Sequence, residues 1–141
     1  MSDPGAVVPD VPFSGPRDPW LGSLDVATVR RYVTEAEALG VQEFYFTGGE
    51  PFLHPDLIRM VEDALAVAPV TITILTNGTL IDKTMASRLV RVADGALYSL
   101  EIRVSLDGAT APENDAVRGH GSFAAAMRAV RCWPTAVSTR S

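Results

Sequence analysis

A hydroxyl residue followed by a glycine-containing corner recurs at a fixed interval in this 141-residue chain. The corners are TGGE from Thr47, TNGT from Thr76 and SLDG from Ser105, so the interval from the first to the second equals that from the second to the third. A parallel strand-helix-strand crossover needs roughly this length, because it contains a strand, a helix and two loops. The interval therefore predicts consecutive βα units with a hydroxyl residue at the end of each strand.

The segments between the corners carry strand and helix patterns in alternation. The runs VQEFYFT, VTITILT and SLEIRVSLDG predict three strands. Four helices are predicted: from Ser23 to Leu39, one with Pro55 at its first position, from Asp82 to Gly95, and from Gly121 with Phe123, Met127 and Val130 on one side. The order αβαβαβα predicts an α/β chain with a parallel sheet.

One face of the predicted sheet is polar. Polar and apolar residues alternate along the strands, and the polar set comprises Glu43, Tyr45, Thr47, Ser105 and Asp107. A sheet covered by helices on both faces would instead have nearly continuous hydrophobic strands. The polar face is therefore either exposed to solvent or lines an open barrel that holds a polar ligand, and the three glycine corners favour the barrel.

The composition excludes several classes of protein. Hydrophobic residues make up 47% and charged residues 21%, with a net charge of -5, which indicates a soluble globular protein without a basic stripe for nucleic acid. The chain has neither an apolar run of about 20 residues nor a secretory signal, so we expect a cytoplasmic location and no membrane partner. Cys132 is the single cysteine, which excludes an internal disulfide and a metal site built on several thiolates of this chain.

Three regions are expected along the chain. Residues 1–22 contain half of the 10 prolines and are predicted to be extended or disordered. Residues 23–131 carry the βα pattern and form the predicted core. Residues 132–141 show no hydrophobic period and are predicted to be an irregular tail.

Four motifs resemble the core of radical S-adenosylmethionine (radical SAM) enzymes: TGGEP with HPDL, TNGT, VSLDG and DAVRGHGSF. The likeness covers about residues 24–131 and is strongest to the branch with peptide-maturing enzymes and the molybdenum-cofactor cyclase. It implies a TIM-like (βα)6 partial barrel, of which this chain would be a fragment of about three parallel βα units. The cofactor of such a barrel lies across the carboxyl ends of the strands.

The resemblance also implies a set of cofactor-binding residues. Gly48, Gly49 and Glu50 would hold the methionine ammonium of S-adenosylmethionine, Ser105 and Asp107 its ribose or methionine part, Arg118 its carboxylate, and Asn77 would face the same cavity. A carboxylate beside backbone carbonyls suits a cation, and glycine permits close approach of the ligand. Plainer interpretations stay open: the glycines could form a tight turn, Asp107 could open an ordinary turn, and Arg118 could be a solvated surface charge.

Enzymes of this family hold a 4Fe–4S cluster with a CxxxCxxC loop and use it to cleave S-adenosylmethionine to a 5′-deoxyadenosyl radical. No such loop precedes the first predicted helix, so no catalytic residue and no metal ligand is assigned. We expect a truncated radical SAM core that binds S-adenosylmethionine but is inactive alone, with a peptide or small molecule as the substrate of the intact form. Two alternatives are a cluster-less module that binds S-adenosylmethionine or a nucleotide, and a half-barrel completed by a partner chain.

Overall fold

The computed structural model describes residues 24–96 and 99–133. Helices and strands alternate up to the third strand, and two helices follow it. The elements are, in chain order, α1 (Val26–Ala38), β1 (Glu43–Phe46), α2 (Leu57–Val67), β2 (Thr71–Thr76), α3 (Lys83–Gly95), β3 (Leu100–Val104), α4 (Ala111–Arg118) and α5 (Ser122–Cys132). A short 3-10 turn at Pro51–Leu53 lies between β1 and α2. The predicted leader 1–22 and residues 134–141 of the predicted tail lie outside the described residues. None of the helices described here is long and apolar enough to cross a membrane.

The strands form one open parallel sheet in the order β1-β2-β3. Helices α2 and α3 connect successive strands, as a parallel sheet requires. This arrangement confirms the predicted α/β fold of about three parallel βα units. All three strands run in the same direction, so the glycine corners meet along one edge of the sheet, beyond the carboxyl ends of the strands.

The strand register differs by one position from the sequence repeat. Glu43 pairs with Thr71, and Ile72 pairs with Leu100, so paired residues are one position closer in the chain than successive corners are. Each corner therefore begins one position further along its strand than the corner before it. Thr76 is level with Val104 rather than with Ser105. Of the three hydroxyl residues, Thr76 is buried, Ser105 is half-buried and Thr47 is exposed.

The core lies on one side of the sheet. Apolar faces of the helices pack against alternate residues of the strands and form a single cluster. Its largest fully buried apolar side chains are Ile72, Ile74, Leu89, Val61 and Val70. The opposite face of the sheet carries the polar residues that the alternation predicts.

The helix starts follow local capping chemistry. Asp25 caps α1 by accepting a hydrogen bond from the Thr28 N–H at 2.7 Å, whereas the predicted cap Ser23 lies outside the described residues. Asp82 caps α3 as predicted, accepting from the Met85 N–H at 2.7 Å. The prediction that α2 begins at Pro55 is wrong, because this helix begins at Leu57 after a separate 3-10 turn.

The αβαβαβα pattern omits α4. This short helix is capped by Thr110 and Glu113 in a reciprocal capping box, with Pro112 in its first turn. The sequence signal was present as TAPE, but a helix this short without an apolar stripe falls below what hydrophobic periodicity detects.

The large apolar residues predicted on one side of α5 do not form its most buried face. Val130 is 48% exposed, whereas Ala125, Ala126 and Ala129 are buried. A Cβ on Gly78 would lie 3.1 Å from the Ala129 Cβ and 3.3 Å from the Ala126 Cα. The helix therefore lies so close to the second corner that a side chain at Gly78 would press against its buried alanines.

Candidate functional site

The Glu50 carboxylate joins the first corner to the second. Its Oε1 accepts a hydrogen bond from the Thr76 hydroxyl at 2.6 Å and a longer one from the Phe52 N–H at 3.2 Å. Its Oε2 accepts from the Asn77 N–H at 2.8 Å. A carboxylate has about four acceptor positions, so three donors leave about one position, and a half-buried negative charge, available to a ligand.

The backbone of the first corner brings this carboxylate to the edge of the sheet. Gly48 has a φ of +142°, which disfavours any residue with a side chain, and a Cβ built there would meet nothing within 4 Å. Gly48 and Gly49 are exposed directly after β1. Glu50 then caps the 3-10 turn through Phe52, and this cap fixes the direction of its side chain. The corner therefore offers open backbone beside a fixed carboxylate.

Thr76 holds the second corner in place. Its hydroxyl donates to Glu50 and accepts from the Gly78 N–H at 3.0 Å, so both its donor and one acceptor position are used. The Asn77 side-chain oxygen accepts from the Thr79 N–H at 2.9 Å and from the Thr79 hydroxyl at 2.7 Å. Because Asn77 is engaged by its own turn on the oxygen side, its amide group is the part of the side chain suited to a ligand.

The third corner pairs Asp107 with Arg118. The Arg118 Nε donates to the Asp107 Oδ2, and the two side chains are 29% and 42% exposed, Arg118 being the less exposed. Arg118 is the last residue of α4, so this pair connects the β3 corner to the end of that helix. Both groups stay partly open to solvent, with a guanidinium and a carboxylate side by side.

Backbone hydrogen bonding places the two halves of the site next to each other. The Ser105 N–H donates to the Thr76 carbonyl at 2.8 Å, which continues the β2–β3 ladder to the corners. The predicted residues thus form two directly bonded groups, Glu50 with Asn77 and Asp107 with Arg118. Thr76 and Ser105 connect them along the sheet edge. Gly48 and Gly49 contribute open backbone rather than side-chain contacts.

Charged and aromatic residues cover the polar face of the sheet below the corners. The Arg103 guanidinium lies 5.5 Å from the Tyr45 ring centroid and 3.3 Å from the Glu101 carboxylate. A hydrogen bond to Glu43 raises the pKa of Tyr45 above its ordinary value. Thr73 in the middle strand is fully buried beneath these side chains and donates to the Glu43 Oε1 at 3.4 Å. The polar side chains of this face therefore contact one another through ion pairs, a hydrogen bond and a cation–π contact.

A 4Fe–4S cluster does not fit the donor set of the described residues. Iron–sulfur clusters need several thiolates, and Cys132, at the end of α5, is the only cysteine in the sequence. Across residues 24–96 and 99–133, no three His, Cys, Asp or Glu side chains come together as metal ligands could. The residues at the corners instead suit an organic ligand with a cationic group and hydroxyls, because they offer carboxylates, a guanidinium and open backbone.

Sequence reasoning missed the residues that hold this site in place. Asn114, Asp115 and Ser122 form hydrogen bonds behind the third corner. Asp115 and Ser122 lie in the DAVRGHGSF motif, but none of the three was assigned a role. Asn114 is fully buried, and one polar residue in a short helix gives no pattern from which burial could be inferred. Thr76 belonged to the repeat of hydroxyl residues, so its position was signalled although its bond to Glu50 was not.

Comparison with known proteins places these corners in a family context. The family model described as the radical SAM superfamily matches residues 9–134. A mycofactocin maturase, MftC, of Mycobacterium ulcerans is 41% identical over 117 residues, which are 83% of this chain and 30% of that protein. A GTP 3′,8-cyclase of Chlorobaculum tepidum is 35% identical over 79 residues, 55% of this chain and 24% of that protein.

A third relative extends the same comparison. A PqqA peptide cyclase of Methylocella silvestris is 30% identical over 113 residues, which are 80% of this chain and 29% of that protein. The chain thus spans less than a third of the length of each of these three relatives.

Proposed function

The chain belongs to the radical SAM superfamily, and from this membership we propose that its glycine corners bind S-adenosylmethionine as part of a radical SAM enzyme core. The proposal assigns the methionine ammonium to Glu50 and to the open backbone of Gly48 and Gly49. It assigns the ribose or methionine part to Ser105 and Asp107.

The observation that carries this proposal is the environment of the Glu50 carboxylate. Three hydrogen bonds hold it rigidly, from Thr76, Phe52 and Asn77, and about one acceptor position remains. A fixed anion with a free acceptor position binds an ammonium group without the entropic cost of ordering a mobile side chain. Open glycine backbone directly before it lets the ligand reach carbonyl oxygens.

Asp107 and Arg118 supply the complementary chemistry on the neighbouring corner. A carboxylate accepts hydrogen bonds from ribose hydroxyls, and a guanidinium binds a carboxylate with two parallel donors. Arg118 donates through Nε to Asp107, which leaves its terminal NH2 groups as the donors we assign to the methionine carboxylate. Asn77 contributes its side-chain amide at the junction between the two halves of the site.

Radical chemistry needs a 4Fe–4S cluster in addition to these residues. With a cluster supplied, bound S-adenosylmethionine would be the source of a 5′-deoxyadenosyl radical through reductive cleavage. The single cysteine of this sequence requires the thiolate ligands to come from outside it. The role of this chain is therefore to bind and orient the cofactor, and residues 23–131 are the part to which we assign it.

The names of the relatives suggest the class of substrate. One relative is named a peptide cyclase, another a maturase and a third a cyclase of GTP. We propose a peptide or a small molecule as the substrate of the complete enzyme.

A second candidate function follows from the donor set. The sequence has a single cysteine, and the described residues contain no cluster of side chains that could hold a metal ion. The chain therefore also suits a module that binds S-adenosylmethionine or a nucleotide without radical chemistry. A half-barrel completed by a partner chain is the third arrangement, because β1 and β3 each pair on one side only within the described sheet.

Calorimetric titration of the purified full chain with S-adenosylmethionine tests the proposal. Saturable binding in the absence of iron is expected, and ATP serves as the control ligand, because it shares the adenosine but has no ammonium group. Equal affinity for both ligands would favour a nucleotide-binding module, and no binding of either would overturn the assignment. Anaerobic treatment with iron and sulfide distinguishes the radical SAM enzyme core from the module without a cluster. Cluster absorbance that appears only when a cysteine-containing segment is added supports the enzyme core.

A further inference from the structure

Asn114 is a buried amide that contacts the third corner from behind. Its side chain is fully buried, and a buried amide is costly unless both of its ends are bonded. The Asn114 Oδ1 accepts from the Asp107 N–H at 2.8 Å, and its Nδ2 donates to the Ser122 hydroxyl at 2.9 Å. A backbone N–H can only donate, so the amide oxygen must face Asp107, and this fixes the orientation of the amide.

The corner after Asp107 lies directly on the first turn of α4. A Cβ on Gly108 would be 2.5 Å from the Glu113 Cβ and 2.6 Å from the Asn114 N, so only glycine allows this approach. The Glu113 Oε2 also accepts from the Ala109 N–H at 3.1 Å. The position of the corner therefore depends on α4.

A second set of hydrogen bonds attaches α4 to α5. The Asp115 carboxylate accepts from the Gly121 N–H at 2.7 Å, from the Phe123 N–H at 2.8 Å and from the Ser122 hydroxyl at 3.0 Å. The same Ser122 oxygen accepts from Asn114. A continuous path of hydrogen bonds thus runs from Asp107 through Asn114 and Ser122 to the start of α5.

Asp107 is held twice by one side of α4. Asn114 and Arg118 are one helical turn apart, so they lie on the same face. Asn114 holds the Asp107 backbone N–H, and Arg118 holds its carboxylate. Fixing the backbone at one point and the carboxylate at another fixes the side chain between them.

We propose that Asn114 is a positioning residue that sets the Asp107 carboxylate for the adenosine half of the cofactor. The inference rests on the proposed function, because it gives Asp107 a ligand. Asn114 itself touches no ligand and acts through the Asp107 N–H. Its loss should therefore weaken the contacts of Asp107 with the ribose. The contacts of Glu50 on the first corner and of Arg118, which α4 itself carries, should stay unchanged.

The test uses the full chain and two partial ligands, 5′-deoxyadenosine for the ribose side and L-methionine for the ammonium side. We expect Asn114→Ala to weaken 5′-deoxyadenosine about fivefold or more, as the loss of one buried hydrogen bond predicts, with methionine within about twofold of wild type. Hydrogen exchange of the Asp107 amide, followed by NMR without ligand, should accelerate about tenfold. Thr73→Val is the matched control, because it also removes a fully buried hydrogen-bonding group but lies in β2, where Thr73 bonds Glu43 and not Asp107. It should leave the affinity for both partial ligands within about twofold of wild type.

The outcomes distinguish a failure of the proposed function from a failure of the role of Asn114. No binding of 5′-deoxyadenosine or S-adenosylmethionine by the wild-type chain would overturn the proposed function and with it the role of Asn114 in cofactor binding. Wild-type binding combined with equal losses for both ligands in Asn114→Ala, or unchanged exchange of the Asp107 amide, would overturn the role of Asn114 alone. If Asn114→Ala does not fold, Asn114→Asp keeps the acceptor toward Asp107. That variant should retain protection of the Asp107 amide and affinity for 5′-deoxyadenosine, and loss of either in a folded protein would overturn the inference.

Discussion

The Thr76 hydroxyl and the Glu50 carboxylate are 26 residues apart in the chain and joined by a hydrogen bond of 2.6 Å. Thr76 ends β2, and Glu50 lies in the corner after β1, so this bond connects two neighbouring βα units at the edge where the cofactor is proposed to bind. It makes the direction of the Glu50 carboxylate a property of the sheet rather than of one loop.

Thr76→Val tests this bond with little change in shape. The variant leaves the Glu50 Oε1 without its closest donor and the Gly78 N–H without an acceptor, and should lower the free energy of unfolding by about 1–3 kcal/mol. Urea denaturation measures the loss. Thr71→Val, at the start of the same strand, is the matched control and should cost less. Equal costs for the two variants would contradict a special role for Thr76.

Glu50→Gln tests the charge of the first corner. The amide can accept from Thr76 or from the Asn77 N–H, but the NH2 end then faces a donor, so one contact becomes repulsive. The negative charge toward the ligand is lost as well. We expect S-adenosylmethionine to bind at least about tenfold more weakly by calorimetry.

The control for Glu50→Gln is Glu43→Gln, which neutralises a carboxylate on the polar face of the sheet instead of at the corner. It should change the affinity for S-adenosylmethionine by less than about twofold. If both substitutions weaken binding equally, net charge rather than the corner controls affinity, and the assignment of Glu50 is wrong.

Gly108 in the third corner and Gly95 at the end of α3 give a paired test of close packing. Gly108→Ala would place a Cβ 2.5 Å from the Glu113 Cβ, and we expect a cost of about 1–3 kcal/mol in unfolding free energy. Gly95→Ala places a Cβ at the end of α3 with nothing within 4 Å, and we expect a gain of about 0.4–1 kcal/mol. Thermal or urea unfolding of the two variants should therefore shift in opposite directions. A neutral Gly108→Ala would show that the corner does not lie against α4 as closely as the structure has it.

The charged carboxylate of Asp115 is expected to make the free energy of unfolding depend on pH in the acid range. The backbone N–H of Phe123, followed by that of Gly121, holds the pKa of Asp115 below its ordinary value of 3.8. A carboxyl group whose pKa is lower in the folded state stabilises the protein above the unfolded pKa and loses that contribution as the pH falls through the folded value. The free energy of unfolding should therefore fall below about pH 4, and less steeply in Asp115→Asn.

Urea unfolding at a series of pH values measures this dependence. Asp94→Asn, at an exposed position near the end of α3, is the control and should leave the acid slope close to that of the wild-type chain. An identical slope in wild type and Asp115→Asn would show that the hydrogen bonds to Phe123 and Gly121 do not stabilise the charged carboxylate.

The sequence contains enough information to predict the strands, the order of most elements and the edge where the corners meet. A strand and its following helix differ in hydrophobic period, and the glycine corners mark where one changes to the other. The cap of α3 at Asp82 was also predictable, because N-caps depend on local hydrogen bonds. These features are set by short stretches of the chain.

The remaining features depend on contacts between distant elements. The buried face of α5 could not be inferred from Phe123, Met127 and Val130, because it depends on the close approach of this helix to Gly78, which lies one strand and two helices earlier in the chain. The bond between Thr76 and Glu50 depends on the strand register. A register inferred from the corner repeat alone would be wrong by one position. The cofactor-binding roles of the corner residues and the cytoplasmic location stay predictions.

The bond between Thr76 at the end of β2 and Glu50 after β1 limits where this sequence tolerates insertions and deletions. A residue added to the loop before β2 lengthens one βα unit without moving Thr76 along its strand. A residue added within β2 would instead replace Thr76 beside Glu50 with Leu75, whose side chain has no hydroxyl to donate. Length variation should therefore accumulate in the loops that precede the strands, whereas the strands and their corners should keep a constant length.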